Sequence, residues 1–133
     1  MGGIDSWRYA IGMAKPYVDG FLLVVPTRKL EAYRKLSATV GKVWLEHGAL
    51  EYRECAADDM QTGCGIPFPK RAGAKKGETV VFSWIVYRSR AQRDRVNKQV
   101  MADPRLVAMC QKLPMPFDMK RLSMGGFEVI VDL

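Results

Sequence analysis

The chain has 133 residues, the size of one domain, and carries 21 Lys and Arg against 14 Asp and Glu, a formal charge of +7. Hydrophobic residues make up 48 %, which excludes a disordered, collagen-like or low-complexity chain. The longest purely apolar run, Phe21 to Val25, is five residues, far short of the roughly 20 that cross a bilayer as a helix.

Residues 1–14 read as a flexible extension ahead of one domain at 15–133. The opening Met-Gly-Gly-Ile-Asp-Ser fits the short myristoylation pattern, whereas residues 1–16 lack the apolar core of a secretory signal. Met13, just before the first strand signal, is a candidate natural start. Tyr17 to Val25 reads as that strand, closed by Pro26. Thr27 is expected to cap a helix running to about His47, with Leu30, Tyr33, Leu36, Val40, Val43, Trp44 and His47 on one apolar face. Gly48 stands where a left-handed cap belongs, and Gly41 is this helix's weak point, costing about 1 kcal/mol relative to Ala. Ala49 to Ala56 is a second strand carrying Glu51, Arg53 and Glu54. Residues 57–77, rich in Gly and Pro, form a long loop with room for a short strand.

Glu78 to Tyr87 is the third and most apolar strand. Ser89 with Gln92 three positions on predicts a capped helix ending near Ala102. Asp103 and Pro104 start another short helix with Leu106, Val107, Cys110 and Leu113 buried, and Pro114 and Pro116 stop it. Arg121 to Val131 is the last strand, where Gly125-Gly126 marks a bulge or a close backbone approach.

The order β-α-β-β-α-β predicts an α+β fold, the ferredoxin-like βαββαβ plait: a four-stranded antiparallel sheet with both helices on one face. The first and third strands are apolar on both sides, so something must cover the face that the helices leave open. A second copy of the chain is the economical cover, and a homodimer is expected.

Tyr17-Val18-Asp19-Gly20-Phe21, Val81-Phe82-Ser83-Trp84 and Met101-Ala102-Asp103-Pro104-Arg105, followed by Pro116-Phe117-Asp118-Met119-Lys120-Arg121 and Gly125-Gly126-Phe127-Glu128, carry a resemblance. From about Lys15 to Asp132 the chain resembles the YbaA-like family of small uncharacterised bacterial proteins. It departs from the family pattern at Met119, where a Gly is usual. The resemblance implies the dimeric α+β barrel superfamily, whose members include small monooxygenases, isomerases, stress proteins and ligand sensors. One fold with so many roles identifies no chemistry by itself.

The candidate ligand-binding residues are Asp19, His47, Trp84, Asp118 and Arg121. Asp19 interrupts an apolar strand; it is either a buried site carboxylate or one that reaches water or an Arg partner. His47, the single histidine, is a general base or ligand on one reading and a helix C-terminal contact on the better one. Asp118 and Arg121 are expected to pair with each other, the alternative being an acid and a cation at a pocket mouth. Trp84 belongs to the core or a dimer interface, or lines an apolar pocket. Lys70, Arg71, Lys75 and Lys76 make the long loop a phosphate-contacting arm, a lid or simply a solvated segment.

Cys55, Cys64 and Cys110, odd in number and without C-x-x-C spacing, point to reduced thiols in the cytoplasm and to no zinc site. No cofactor is expected. The sequence offers no acid, base or nucleophile pair and leaves enzyme status open. Three readings follow. The first is a homodimer holding a small apolar or aromatic molecule between sheet and helices, with cofactor-independent monooxygenase- or isomerase-like chemistry. The second is an RNA-binding plait, disfavoured because the basic-Gly-aromatic run is missing from the third strand. The third is a non-catalytic stress or interaction protein.

Overall fold

The computed structural model describes residues 15–112 and 114–133. The expected N-terminal extension, the candidate start at Met13 and Leu113 of the expected buried stripe lie outside them; of that stripe Leu106 is buried, whereas Val107 and Cys110 are exposed. The described elements are β1 (Tyr17–Pro26), a 3-10 turn (Thr27–Lys29), α1 (Leu30–Glu46), β2 (Glu51–Ala56), α2 (Phe68–Ala72), β3 (Glu78–Tyr87), α3 (Arg90–Met101), α4 (Pro104–Lys112), a second 3-10 turn (Met119–Arg121) and β4 (Ser123–Glu128). The strands form one sheet in the order β2-β3-β1-β4, and every neighbouring pair is antiparallel. The two apolar strands are central because both of their faces can be covered there, and the charged strand β2 takes an edge, where its side chains reach water.

β1 and β3 pair from Tyr17 opposite Tyr87 to Pro26 opposite Glu78. The pleat therefore sends Asp19, Phe21, Leu23 and Val25, with Val81, Ser83, Ile85 and Tyr87, to one face. That face meets α1 and α3 in a core where Val25, Tyr87, Val96 and Val100 are fully buried. The opposite face carries Val18, Leu22 and Val24 with Val80, Phe82, Trp84 and Val86.

The cover over this second face is partly internal. The long loop contains a helix, not a strand: α2 packs on β1 and β3, and Phe68 lies 5.9 Å from Phe82 between ring centroids. Val24 and Val80 are accordingly buried, whereas Phe82 is 45 % and Phe127 62 % exposed. The chain thus covers one end of its rear sheet face itself and leaves an aromatic patch at the other.

Local capping signals behave unevenly. Ser89 Oγ accepts from the Gln92 N–H at 3.1 Å, and the Gln92 side chain accepts from the Arg88 N–H and donates to the Gly48 carbonyl, tying the start of α3 to the end of α1. Asp103 caps α4 through the Arg105 N–H at 2.9 Å. Thr27 does not cap α1: the chain leaves β1 through the 3-10 turn, and its hydroxyl lies 2.8 Å from the Thr79 hydroxyl on β3. Gly48, at φ +115°, ends α1 in the left-handed region as expected.

Gly41 has a role that its helical position hides. A Cβ there would stand 2.6 Å from Cδ1 of the Tyr52 ring, so α1 rests on β2 through a missing side chain. The Gly125-Gly126 pair is not a bulge, and Gly126 is likewise an approach site. β4 stays in register with β1 through both residues, and the Tyr17 ring lies over Gly126.

β4 is shorter than expected, and Arg121 sits in the turn before it. The expected pair of Asp118 with Arg121 is replaced. Asp118 accepts from the Lys120 N–H at 2.9 Å, while Arg121 grips Glu78 through two hydrogen bonds of 2.5 and 2.9 Å and donates to the Gly73 carbonyl. The long loop brings Glu78 to this turn, and a partner 43 positions away replaces the local one because its two oxygens take both terminal guanidinium nitrogens in a bidentate pair.

Arg121, and after it the Lys75 N–H, holds the Glu78 carboxyl down at about 2 from its ordinary 4.5. A carboxyl depressed in the folded state stabilises that state fully above its ordinary value, and the contribution disappears as pH falls from about 4.5 toward 2. Urea unfolding at stepped pH is expected to show a shallower acid loss in Arg121→Gln than in wild type; parallel curves would dismiss the clamp.

Candidate functional site

Between the sheet and α1, α3 and α4 lies a cleft of about 400 Å³. Phe21, Leu23, Ser83 and Ile85 form its floor, Tyr33, Leu36, Val40 and Trp44 line it from α1, and Asn97, Met101, Leu106 and Met109 from α3 and α4. Phe117, Leu122 and the methionines 115, 119 and 124 complete the rim. Thioether side chains are unbranched and adaptable, which suits a wall that accommodates a guest.

Two polar clusters interrupt this apolar lining. In the first, Asp19, 4 % exposed, accepts from Arg93 at 2.6 Å, and the Arg93 guanidinium stacks 4.8 Å over the Tyr17 ring. Beside it the Trp44 indole N–H donates to the Tyr87 hydroxyl and to Asn97 Oδ1, both at 3.1 Å, and the Tyr87 hydroxyl donates to the same oxygen at 3.0 Å. Burial, then the Asp19 charge, pushes the Tyr87 phenol well above its ordinary value, so it stays protonated as a donor.

In the second cluster, Glu54 of β2 accepts from the Tyr33 hydroxyl at 2.7 Å and the Tyr52 hydroxyl at 2.8 Å. Burial, followed by the Glu54 charge, raises both phenols far above the usual tyrosine range. Period-two alternation puts Tyr52 and Glu54 on the helix side of the sheet, while Glu51 and Arg53 point away and pair with each other at 2.8 Å.

Of the residues singled out from sequence, Asp19 lies on the cleft floor, with Arg93 as its partner. Trp84 belongs to a strand segment that borders the cleft, but the pleat turns its side chain to the rear face. There it sits 5.6 Å from Phe82 and donates to Glu51 at 2.9 Å. His47 lies away from the cleft lining, its Nε2 2.9 Å from Asp103 Oδ2, which clips the end of α1 to the start of α4. Arg105, then His47, holds the Asp103 carboxyl well below the usual carboxylate range. Asp118 and Arg121 line a separate, smaller hollow of about 290 Å³.

Sequence reading passed over Glu54, Arg93, Tyr33, Tyr52, Tyr87 and Asn97 as site residues. The Tyr-x-Glu spacing in β2 was the available signal, since residues two apart share a face; it was masked by the alternating charges that mark an edge strand. Arg93 carried no signal, because its partner is 74 positions away.

All three cysteines are exposed and free. Among the described residues, no group of three or more His, Cys, Asp and Glu side chains is placed to hold a metal ion, and no helix is long and apolar enough to cross a membrane.

The fold and cleft define a small α+β protein whose antiparallel sheet and helices enclose an apolar space with two hydrogen-bonded polar clusters. Residues 16–119 match the family model described as protein of unknown function DUF1428, and the chain belongs to that family. It is 44 % identical over 116 residues to the uncharacterized protein YbaA of Escherichia coli K12, covering 87 % of this chain and 97 % of that protein. The same figures hold for YbaA of Shigella flexneri.

Proposed function

We propose that the protein is a cytoplasmic homodimer of ferredoxin-like plaits, arranged as a dimeric α+β barrel, whose cleft binds a small apolar or aromatic molecule. The strand order β2-β3-β1-β4, with α1 joining β1 to β2 across β3, supports the plait. The observation that carries the ligand reading is the cleft of about 400 Å³, apolar over most of its lining and set with a few anchored polar groups, the common character of small-molecule sites. Asp19, fixed by Arg93, is the ligand contact among the residues expected at a site.

Native mass spectrometry of the purified protein, with calorimetric titration of a neutral arylalkyl alcohol, tests this reading. A retained small molecule or saturable binding of the alcohol is expected; the mass of the bare chain together with flat titrations would end it. If the retained molecule is turned over, the masses of substrate and product identify the reaction class.

The dimer rests on the rear patch of Phe82, Trp84 and Phe127. Trp84→Arg is expected to convert a sedimenting dimer into a monomer or an unfolded chain, because it replaces an aromatic contact with a charge whose desolvation the neighbouring Glu51 offsets only in part. A native wild-type monomer at micromolar concentration would remove the dimer from the proposal. The same exposed aromatics support a second reading, single-stranded RNA stacking on the sheet. It requires that monomer and binding that fades steeply with salt.

A further inference from the structure

We propose that the cleft is built for a cation: a protonated organic amine with an apolar or aromatic body, its ammonium seated against Glu54. This deepens the ligand-binding reading and rests on it.

The argument is one of charge balance. Asp19 is neutralised by Arg93 at 2.6 Å. Glu54 is held by two phenol donors, Tyr33 and Tyr52, and among the described residues no Lys, Arg or His forms an ion pair with it; the neighbouring Arg53 is committed to Glu51 on the opposite face. Two neutral donors orient the carboxylate without cancelling its charge, and beyond those two bonds a carboxylate can accept about two more. An ammonium group fills them and supplies the missing charge.

The surroundings fit the same guest. Tyr33 and Phe117 meet edge to face at 5.6 Å, Trp44 and Tyr52 are 6.3 Å apart, and all four line the cleft, the two tyrosines bonded to Glu54. Aromatic faces attract a cation that has lost part of its water, and the apolar walls take the rest of the molecule. An anion would meet the Glu54 charge directly. The chain's own excess of +7 resides largely on exposed side chains, where salt screens it.

Three probes with one apolar body separate the possibilities: phenylbutylamine, phenylbutanol and phenylbutanoate, titrated calorimetrically into the full-length protein at neutral pH. The amine is expected to bind about tenfold more tightly than the alcohol, and the acid most weakly. In Glu54→Gln the amine should lose its advantage over the alcohol. Alcohol binding without preference for the amine overturns the cation assignment, an amine preference that survives Glu54→Gln overturns the seat at Glu54, and either result leaves the cleft reading standing. If none of the three binds, the cation assignment falls, and the cleft reading falls with it when native mass spectrometry also finds only the bare chain. Should Glu54→Gln fail to fold by circular dichroism, the order of the three probes on the wild-type protein still decides.

Discussion

Replacing Arg93 with methionine is expected to destabilise the protein by about 3–5 kcal/mol in urea unfolding, the usual cost of removing one partner from a buried ion pair. Methionine keeps most of the packing volume, so the loss isolates the charge. It leaves Asp19, on a side chain 5 % exposed, facing the cleft floor without its cation. The double change Asp19→Leu with Arg93→Met should be far milder, because it removes both desolvated charges together. A single variant as stable as wild type would mean that Asp19 reaches water or another donor, and that the floor of the cleft is wetter than its geometry implies. Asp94, also bonded to Arg93 at 2.7 Å, is exposed and loses little when the arginine is removed.

Gly41→Ala is expected to destabilise by about 1–3 kcal/mol, although helix propensity alone favours Ala by about 1 kcal/mol. The added Cβ would stand 2.6 and 2.7 Å from two atoms of the Tyr52 ring, which is anchored at its far end by the hydroxyl bond to Glu54. Either the ring moves and that bond is strained, or α1 lifts from β2 and the cleft changes shape. In a Tyr52→Ala background the clash is gone, and the same Gly41→Ala change should turn neutral or stabilising. Equal effects in both backgrounds would show that the glycine is there for some reason other than the ring.

The two glycine readings show where sequence reasoning reaches its limit. At Gly48 the demand is local: a helix ends, the backbone turns to positive φ, and any long apolar face followed by glycine announces it. At Gly41 the demand comes from a tyrosine on a strand, and the residues around Gly41 hold no trace of it, so a propensity scale reports a defect where the packing requires a gap. The caps divide in the same way. Ser89 with Gln92 was legible because both partners lie within one turn. Thr27 looked equally good, but it sits where β1 leaves the sheet and its hydroxyl meets Thr79 across the strands.

The candidate site was less legible than the fold. Asp19 stood out because a carboxylate inside an apolar strand is unusual anywhere. Glu54 did not, because on an edge strand a charge is the ordinary state, and only the pleat and the position of α1 turn this one inward between two phenols. The pairing of Arg121 with Glu78 in place of Asp118 follows from the path of the 57–77 loop, whose helical segment no periodicity announced.

By itself, the amino-acid order determined the sequence of main elements, the α+β class, the two-sided apolar character of the first and third strands and the family, since these depend on patterns repeated over a few residues or shared along most of the chain. Only the tertiary structure decided which charges are paired, which glycine makes room for a ring, how far the chain covers its own rear sheet face and which carboxylate faces the cleft without a cation. Each of those depends on groups brought together from distant positions, and their distances are set by how helices and sheet stack, not by any local preference of the chain.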